Sequence, residues 1–125
     1  MNIPIYRAKS NERKNSYVEG FLIGLDEDLN LCTIRTKDDY IGGEICYLHT
    51  LSIHFPDMLD SQGNEIFASL QKDGKGGDIV KYGEWEAEYT MMFSSHFGIT
   101  AENLKNIDDT GFGLNSKLRI IEIQE

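Results

Sequence analysis

The chain has 125 residues, 40% of them hydrophobic and 10% aromatic, which suits one ordinary core and excludes a disordered chain. Twenty-one acidic against twelve basic side chains leave a formal charge of −9, which opposes nonspecific contact with phosphate backbones. No run approaches the roughly 18 to 20 apolar residues of a membrane span.

The opening Asn2-Ile3-Pro4-Ile5-Tyr6-Arg7 lacks the basic-then-apolar layout of a signal peptide. A cytoplasmic location is therefore expected, with Cys32 and Cys46 as reduced thiols. Ile3 to Ala8 reads as a first strand, with Pro4 tolerated only near its start or on an edge. Arg7, Lys9, Arg13 and Lys14, opposed only by Glu12, form a short basic strip that reads as a solvated strand edge and loop.

Tyr17 to Leu25 is a longer strand. Gly20 and Gly24 within it point to a bend or a close backbone approach. Asp26-Glu27-Asp28-Leu29-Asn30 reverses the chain, and Leu31 to Thr36 returns, so 17–36 reads as a hairpin. Lys37-Asp38-Asp39 is a second turn before Tyr40-Ile41 and the Gly42-Gly43 interruption. From Glu44 to Phe55 the pattern fits two short strands or a strand with a helical turn, closed by Pro56.

Asp60-Ser61-Gln62-Gly63-Asn64-Glu65 is a tight reversal, because Gly63 and Asn64 reach positive φ cheaply and Asp60 can bond backbone two residues on. Ile66 and Phe67 open an apolar run, and Ser69 to Gly76 is a polar detour. Asp78 to Tyr82 then reads as a strand. From Glu84 to Phe93 the chain alternates: Trp85, Ala87, Tyr89, Met91 and Phe93 share an inward face, Glu84, Glu86, Glu88 and Thr90 an acidic outer one. With Asp78 to Tyr82 it makes a second hairpin across Gly83, or one strand bent there.

Thr100 is a candidate N-cap with Glu102 behind it, giving a short helix in an insertion spanning 94–107. Gly111-Phe112-Gly113 reads as a flexible aromatic loop, and Leu118 to Ile123 as a terminal strand. The expected fold is mainly β with a minor helix: small antiparallel sheets forming two barrel-like subdomains, 1–57 and 58–125, of a single domain.

Asp60-x-x-Gly63-Asn64-Glu65-Ile66-Phe67 followed by Gly77-Asp78-Ile79-Val80-Lys81-Tyr82 resembles the YopX family, small proteins of uncharacterised role carried by phages, prophages and mobile elements. Two more segments match in order: Ile5-Tyr6-Arg7-Ala8, similar to the family's opening, and Tyr17-Val18-Glu19-Gly20-Phe21-Leu22, similar to its next strand. The detour between Phe67 and Gly77 is longer than the family's usual junction, and no Y-T-G precedes Asp60. The resemblance implies a phage or mobile-element origin and the two-subdomain β architecture, and it brings no catalytic or ligand-binding residue with it.

Motifs that carry chemistry are partial at best. Asp26-x-Asp28-x-Asn30 has the opening spacing of a calcium loop, but Leu31 stands where the turn glycine belongs and Lys37 where the bidentate Glu belongs. Gly74-Lys75-Gly76-Gly77-Asp78 meets neither phosphate-loop fingerprint and carries its own carboxylate, so it reads as a flexible loop. His49, His54 and His96 with Cys32 and Cys46 lack zinc-site spacing, and Cys46 three residues before His49 is the nearest approach to a thiolate–imidazole pair. No G-x-S-x-G elbow occurs. No catalytic residue, cofactor or metal is expected.

The expected working surface is a protein contact at Glu84, Glu86, Glu88 and Met92, the last an outward-facing methionine beside an aromatic. Homo-oligomers or a host or phage protein are the expected partners, since small sheets leave open edges. The function these features suggest is a non-enzymatic accessory protein acting by self-assembly or protein contact; the alternative is an acidic decoy of a nucleic-acid-binding protein, its carboxylates standing in for phosphates.

Overall fold

A computed structural model describes residues 3–36, 42–94, 98–106, 108–109 and 111–125. The chain is mainly β, as expected. Its strands are β1 (Ile5–Lys9), β2 (Tyr17–Asp26), β3 (Leu31–Arg35), β4 (Glu44–Tyr47), β5 (Ser52–His54), β6 (Ala68–Ser69), β7 (Asp78–Tyr82), β8 (Glu88–Ser94), β9 (Gly98–Glu102), β10 (Phe112–Gly113) and β11 (Leu118–Ile123). A single 3₁₀ turn, Leu48–Thr50, stands between β4 and β5 among the described residues.

These strands form one mixed sheet in the order β10-β9-β8-β6-β5-β1-β2-β3-β4, with β7 pairing β8 and β11 pairing β7. Among the described residues the sheet is not closed into a barrel, which corrects the expectation of separate barrel-like sheets. The joint is β6: Ser52 and Ile53 pair antiparallel with it on one side, and Ser69 meets Met92 of β8 in parallel on the other. A two-residue strand with no clear alternation gives little sequence signal, so this continuity could not be read in advance.

Two apolar clusters form the core. Ala8, Val18, Cys32, Ile34, Cys46 and Leu51 make one, and Met58, Ile66, Ala68, Val80, Tyr89, Met91, Ala101 and Leu118 the other. The 17–36 hairpin forms as read, with a bulge between Leu22 and Gly24. Gly20 is a close approach: a Cβ there would strike the Arg35 carbonyl. In the 44–55 region the answer is a strand, the 3₁₀ turn and a second strand.

Three local expectations fail for physical reasons. Thr100 does not cap a helix. Ser94 and Gly98 face each other at the start of the β8–β9 ladder, Gly98 has φ +70°, and Ala101 pairs with Met91. Ala101 is fully buried, so tertiary packing takes 98–102 into the sheet and overrides a cap signal with no helical periodicity behind it. The 94–107 helical insertion is accordingly replaced by β9 and the turn after it.

Gly111-Phe112-Gly113 is not a free loop either, because Phe112 pairs with Ala101 and packs on three aromatic rings. The Gly74–Gly77 loop is likewise pinned. Gly76 donates its N–H to the Gln124 carbonyl at 2.8 Å, and Ser69 Oγ donates to the Lys75 carbonyl at 2.7 Å. The expected turn at Lys37-Asp38-Asp39, with Tyr40 and Ile41, lies outside the described residues, as does His96.

Candidate interaction surface

Arg7 was expected on a solvated strand edge. It is buried, 6% exposed, on the face of β1 opposite to Tyr6 and Ala8. Its Nη2 donates to Asp78 Oδ1 at 2.9 Å and to the Gly76 carbonyl at 2.7 Å, and the guanidinium lies 4.5 Å from the Phe67 ring centre. Asp78 is 1% exposed, and its other oxygen accepts the Phe67 N–H at 2.8 Å. Burial pushes the Asp78 carboxyl above the ordinary aspartate value, against the pull of Arg7 and the Phe67 N–H.

This cluster joins residues 71 positions apart. Arg7 belongs to the Ile5–Ala8 segment and Asp78 to the Gly77–Tyr82 segment, so two of the segments that stand out in the sequence are clamped by one ion pair. The basic strip is thereby broken up, since Arg13 also pairs with Glu44 at 2.9 Å.

Asp60 has a comparable structural duty. Its Oδ1 accepts the N–H groups of Gln62 (2.9 Å) and Asn64 (2.8 Å), and its Oδ2 accepts the Ile120 N–H at 3.2 Å. Burial raises its carboxyl, but the N–H donors of Asn64, Ile120 and Gln62 outweigh burial and hold it below the usual range. The turn of 60–65, with Gly63 at φ +84°, thus holds β11 to the rest of the sheet.

Among the described residues the remaining polar candidates do not converge. His54 is buried between the Ile66 carbonyl (2.9 Å from Nδ1) and Glu65 (3.1 Å from Nε2). His49 bonds Asn30 and lies beside Tyr47, while the Cys46 thiol donates to the Glu44 carbonyl. Cys46 is paired across the ladder with Cys32, both free thiols, and its hydrogen bond to Cys32, with burial, pushes its thiol well above the ordinary value. Fully buried, with its Sγ donating to the Glu44 carbonyl at 3.5 Å, the Cys46 thiol is not placed as an accessible thiolate. Among the described residues no group of three His, Cys, Asp or Glu could hold a metal.

The four residues expected as a contact surface fall in two places. Glu88 opens β8 and, with Thr90 and Met92, points to its outer face. There Glu88 and Thr90, with Ile79, Leu104, Lys105 and residues 122–125, line an open cavity of about 260 Å³. The Glu88 carboxylate is 3.6 Å from the Lys105 ammonium, and Met92 is half-buried. Thr90 is buried rather than solvated, its Oγ1 donating to Gln124 Oε1 at 3.2 Å.

Glu84 and Glu86 lie before β8, in the turn that follows β7, and are exposed. The expected inward Trp85 between them is corrected: the strand begins only at Glu88, and Trp85 is 56% exposed. Gly83, at φ +55°, turns the chain, and the Trp85 N–H donates to the Tyr82 carbonyl at 3.0 Å. Alternation of residue types therefore runs on through a turn where the backbone no longer alternates. Gly83 was the signal that could have shown it.

Trp85 rests on the aromatic rim of the second core. Its ring centre is 4.8 Å from Tyr82 and 6.5 Å from Phe112, which meets it edge-on at 90°. Tyr82 and Phe112 are 5.1 Å apart, and Tyr89 closes the group at 4.6 Å from Phe112. The Tyr89 hydroxyl donates to Asp109 at 2.8 Å, fixing the rim from below. Such tilted and edge-to-face contacts brace the exposed ring against the core.

The chain matches no family model, no curated protein and no solved structure. No helix among the described residues is long and apolar enough to cross a membrane.

Proposed function

We propose that the chain is a non-enzymatic interaction protein, of the accessory kind carried by phages, prophages and mobile elements, working in the cytoplasm by contact with a protein partner or with copies of itself. The observation that carries this reading is the division of labour among its side chains. Arg7, Asp60 and Asp78 are consumed in holding the sheet together, while Trp85 stands exposed between two carboxylates and is braced by neighbouring rings. Exposed tryptophan is enriched where proteins meet, because it brings a large apolar face at small entropic cost. The YopX-like segments support the same reading.

The test is charge reversal at Glu84, Glu86 and Glu88, with native mass by light scattering at low and moderate salt. Changed assembly or changed partner binding in a variant that unfolds like the wild type is the expected result. Unchanged mass and unchanged partner binding in all three would contradict it.

A further inference from the structure

We propose that the turn between β7 and β8 recognises a cationic segment of a protein partner, an arginine side chain stacking on Trp85 with Glu84 and Glu86 closing on its charge. This rests on the reading that the chain works by protein contact, and it names the chemistry of that contact. Three observations carry it.

First, the platform is aromatic and accessible: Trp85 is 56% exposed and is braced by Tyr82 and Phe112. A guanidinium is drawn to the face of such a ring, most strongly to that of tryptophan. Second, the residues on both sides of Trp85 are exposed carboxylates, and among the described residues neither Glu84 nor Glu86 has an ion-pair partner. Other exposed carboxylates, Glu19 and Glu27 among them, share that state; what sets Glu84 and Glu86 apart is the exposed tryptophan between them. Third, one ring of the platform, Tyr82, has a cation of the chain at the edge of contact range, the Lys117 ammonium 5.8 Å from its centre, while no such cation lies over Trp85 among the described residues.

The net charge of −9 adds a long-range field that draws a basic partner and repels an acidic one. A nucleic acid, which could also stack a base on Trp85, would have to bring its phosphates against Glu84 and Glu86. Arginine is favoured over lysine because its planar group can stack and hydrogen-bond a carboxylate together.

Trp85 is the chain's sole tryptophan, so intrinsic fluorescence reads the site directly. The probe is a peptide of alternating glycine and arginine, titrated beside its glycine–lysine, glycine–serine and glycine–glutamate counterparts at low and at physiological salt. The arginine peptide is expected to change the Trp85 emission saturably, more strongly than lysine, with no response to serine or glutamate. Binding should weaken on the order of tenfold in Glu84→Gln/Glu86→Gln. A second readout, anisotropy of a dye-labelled arginine peptide, should show a loss of similar size in Trp85→Ala.

Equal binding of the arginine peptide by Trp85→Ala would show general attraction to an acidic surface and overturn the proposal. So would a response to the serine or glutamate peptide, or no response at all. Trp85→Phe and unfolding curves of each variant separate a lost site from a lost fold. If the peptides fail while charge reversal at Glu84 and Glu86 still alters native mass, the contact reading stands and the cationic partner does not. If both fail, both fall.

Discussion

Replacing Arg7 by methionine strikes the clamp between β1 and β7 and leaves Asp78 buried without its cation. The Asp78 carboxylate is 1% exposed and would retain only the Phe67 N–H, while the Gly76 carbonyl would lose a donor at 2.7 Å. An uncompensated buried charge of this kind costs about 3–5 kcal/mol, a large share of a total stability on the order of 10 kcal/mol. Asp78→Asn alone strands the guanidinium instead, though one amide oxygen remains to accept, so about 3 kcal/mol is expected.

In the double variant neither charge is left unpaired. Methionine can keep part of the contact that Arg7 makes with Phe67, and the asparagine oxygen can still accept the Phe67 N–H. The double variant should therefore lie about 4 kcal/mol below wild type, well short of the sum of the singles, with a coupling of about 3 kcal/mol. Urea unfolding followed by circular dichroism measures all four corners, provided the m-values agree. Additive losses, or an Arg7→Met loss under about 1 kcal/mol, would refute the clamp.

Gly76→Ala should cost more than 3 kcal/mol or prevent folding, because φ is +83° and a Cβ would meet the Thr50 carbonyl; expression and a thermal unfolding scan decide it. The folded-state depression of Asp60 has a definite sign. Its stabilisation is fully present above the unfolded value near 3.8 and is lost as pH falls through the lower folded value. The stability gap between wild type and Asp60→Asn should thus be constant near neutrality and shrink below about pH 4, as read by urea midpoints across pH. A gap independent of pH would contradict the assignment.

Much of the sheet was legible because alternation and turn chemistry agree locally. The 17–36 hairpin, the Asp60 reversal and the terminal strand each have apolar and turn residues in the required order. The burial of Arg7 was not legible. Nothing near Arg7 in sequence names Asp78 as its partner, and an isolated arginine on a strand looks solvated until the fold brings an acid to it. Thr100 misled because a cap signal is local while the burial of Ala101 is not. Trp85 misled in the opposite sense: its neighbours at 87, 89 and 91 extend a true pattern backwards across Gly83, where the backbone turns. The exposure of Glu84 and Glu86 was legible, while the aromatic group beside them depended on Phe112 arriving from a distant strand.

The most direct measurement is quantitative co-purification, by mass spectrometry, with tagged wild type and tagged Glu84→Lys/Glu86→Lys, each co-expressed with an untagged copy of the chain in the cells it comes from. The account predicts that a basic protein, or the untagged copy, is enriched on the wild type and falls at least about fivefold on a variant that unfolds normally. Equal recovery on both, or enrichment on neither, would contradict the claim that the turn at Trp85 is the working surface.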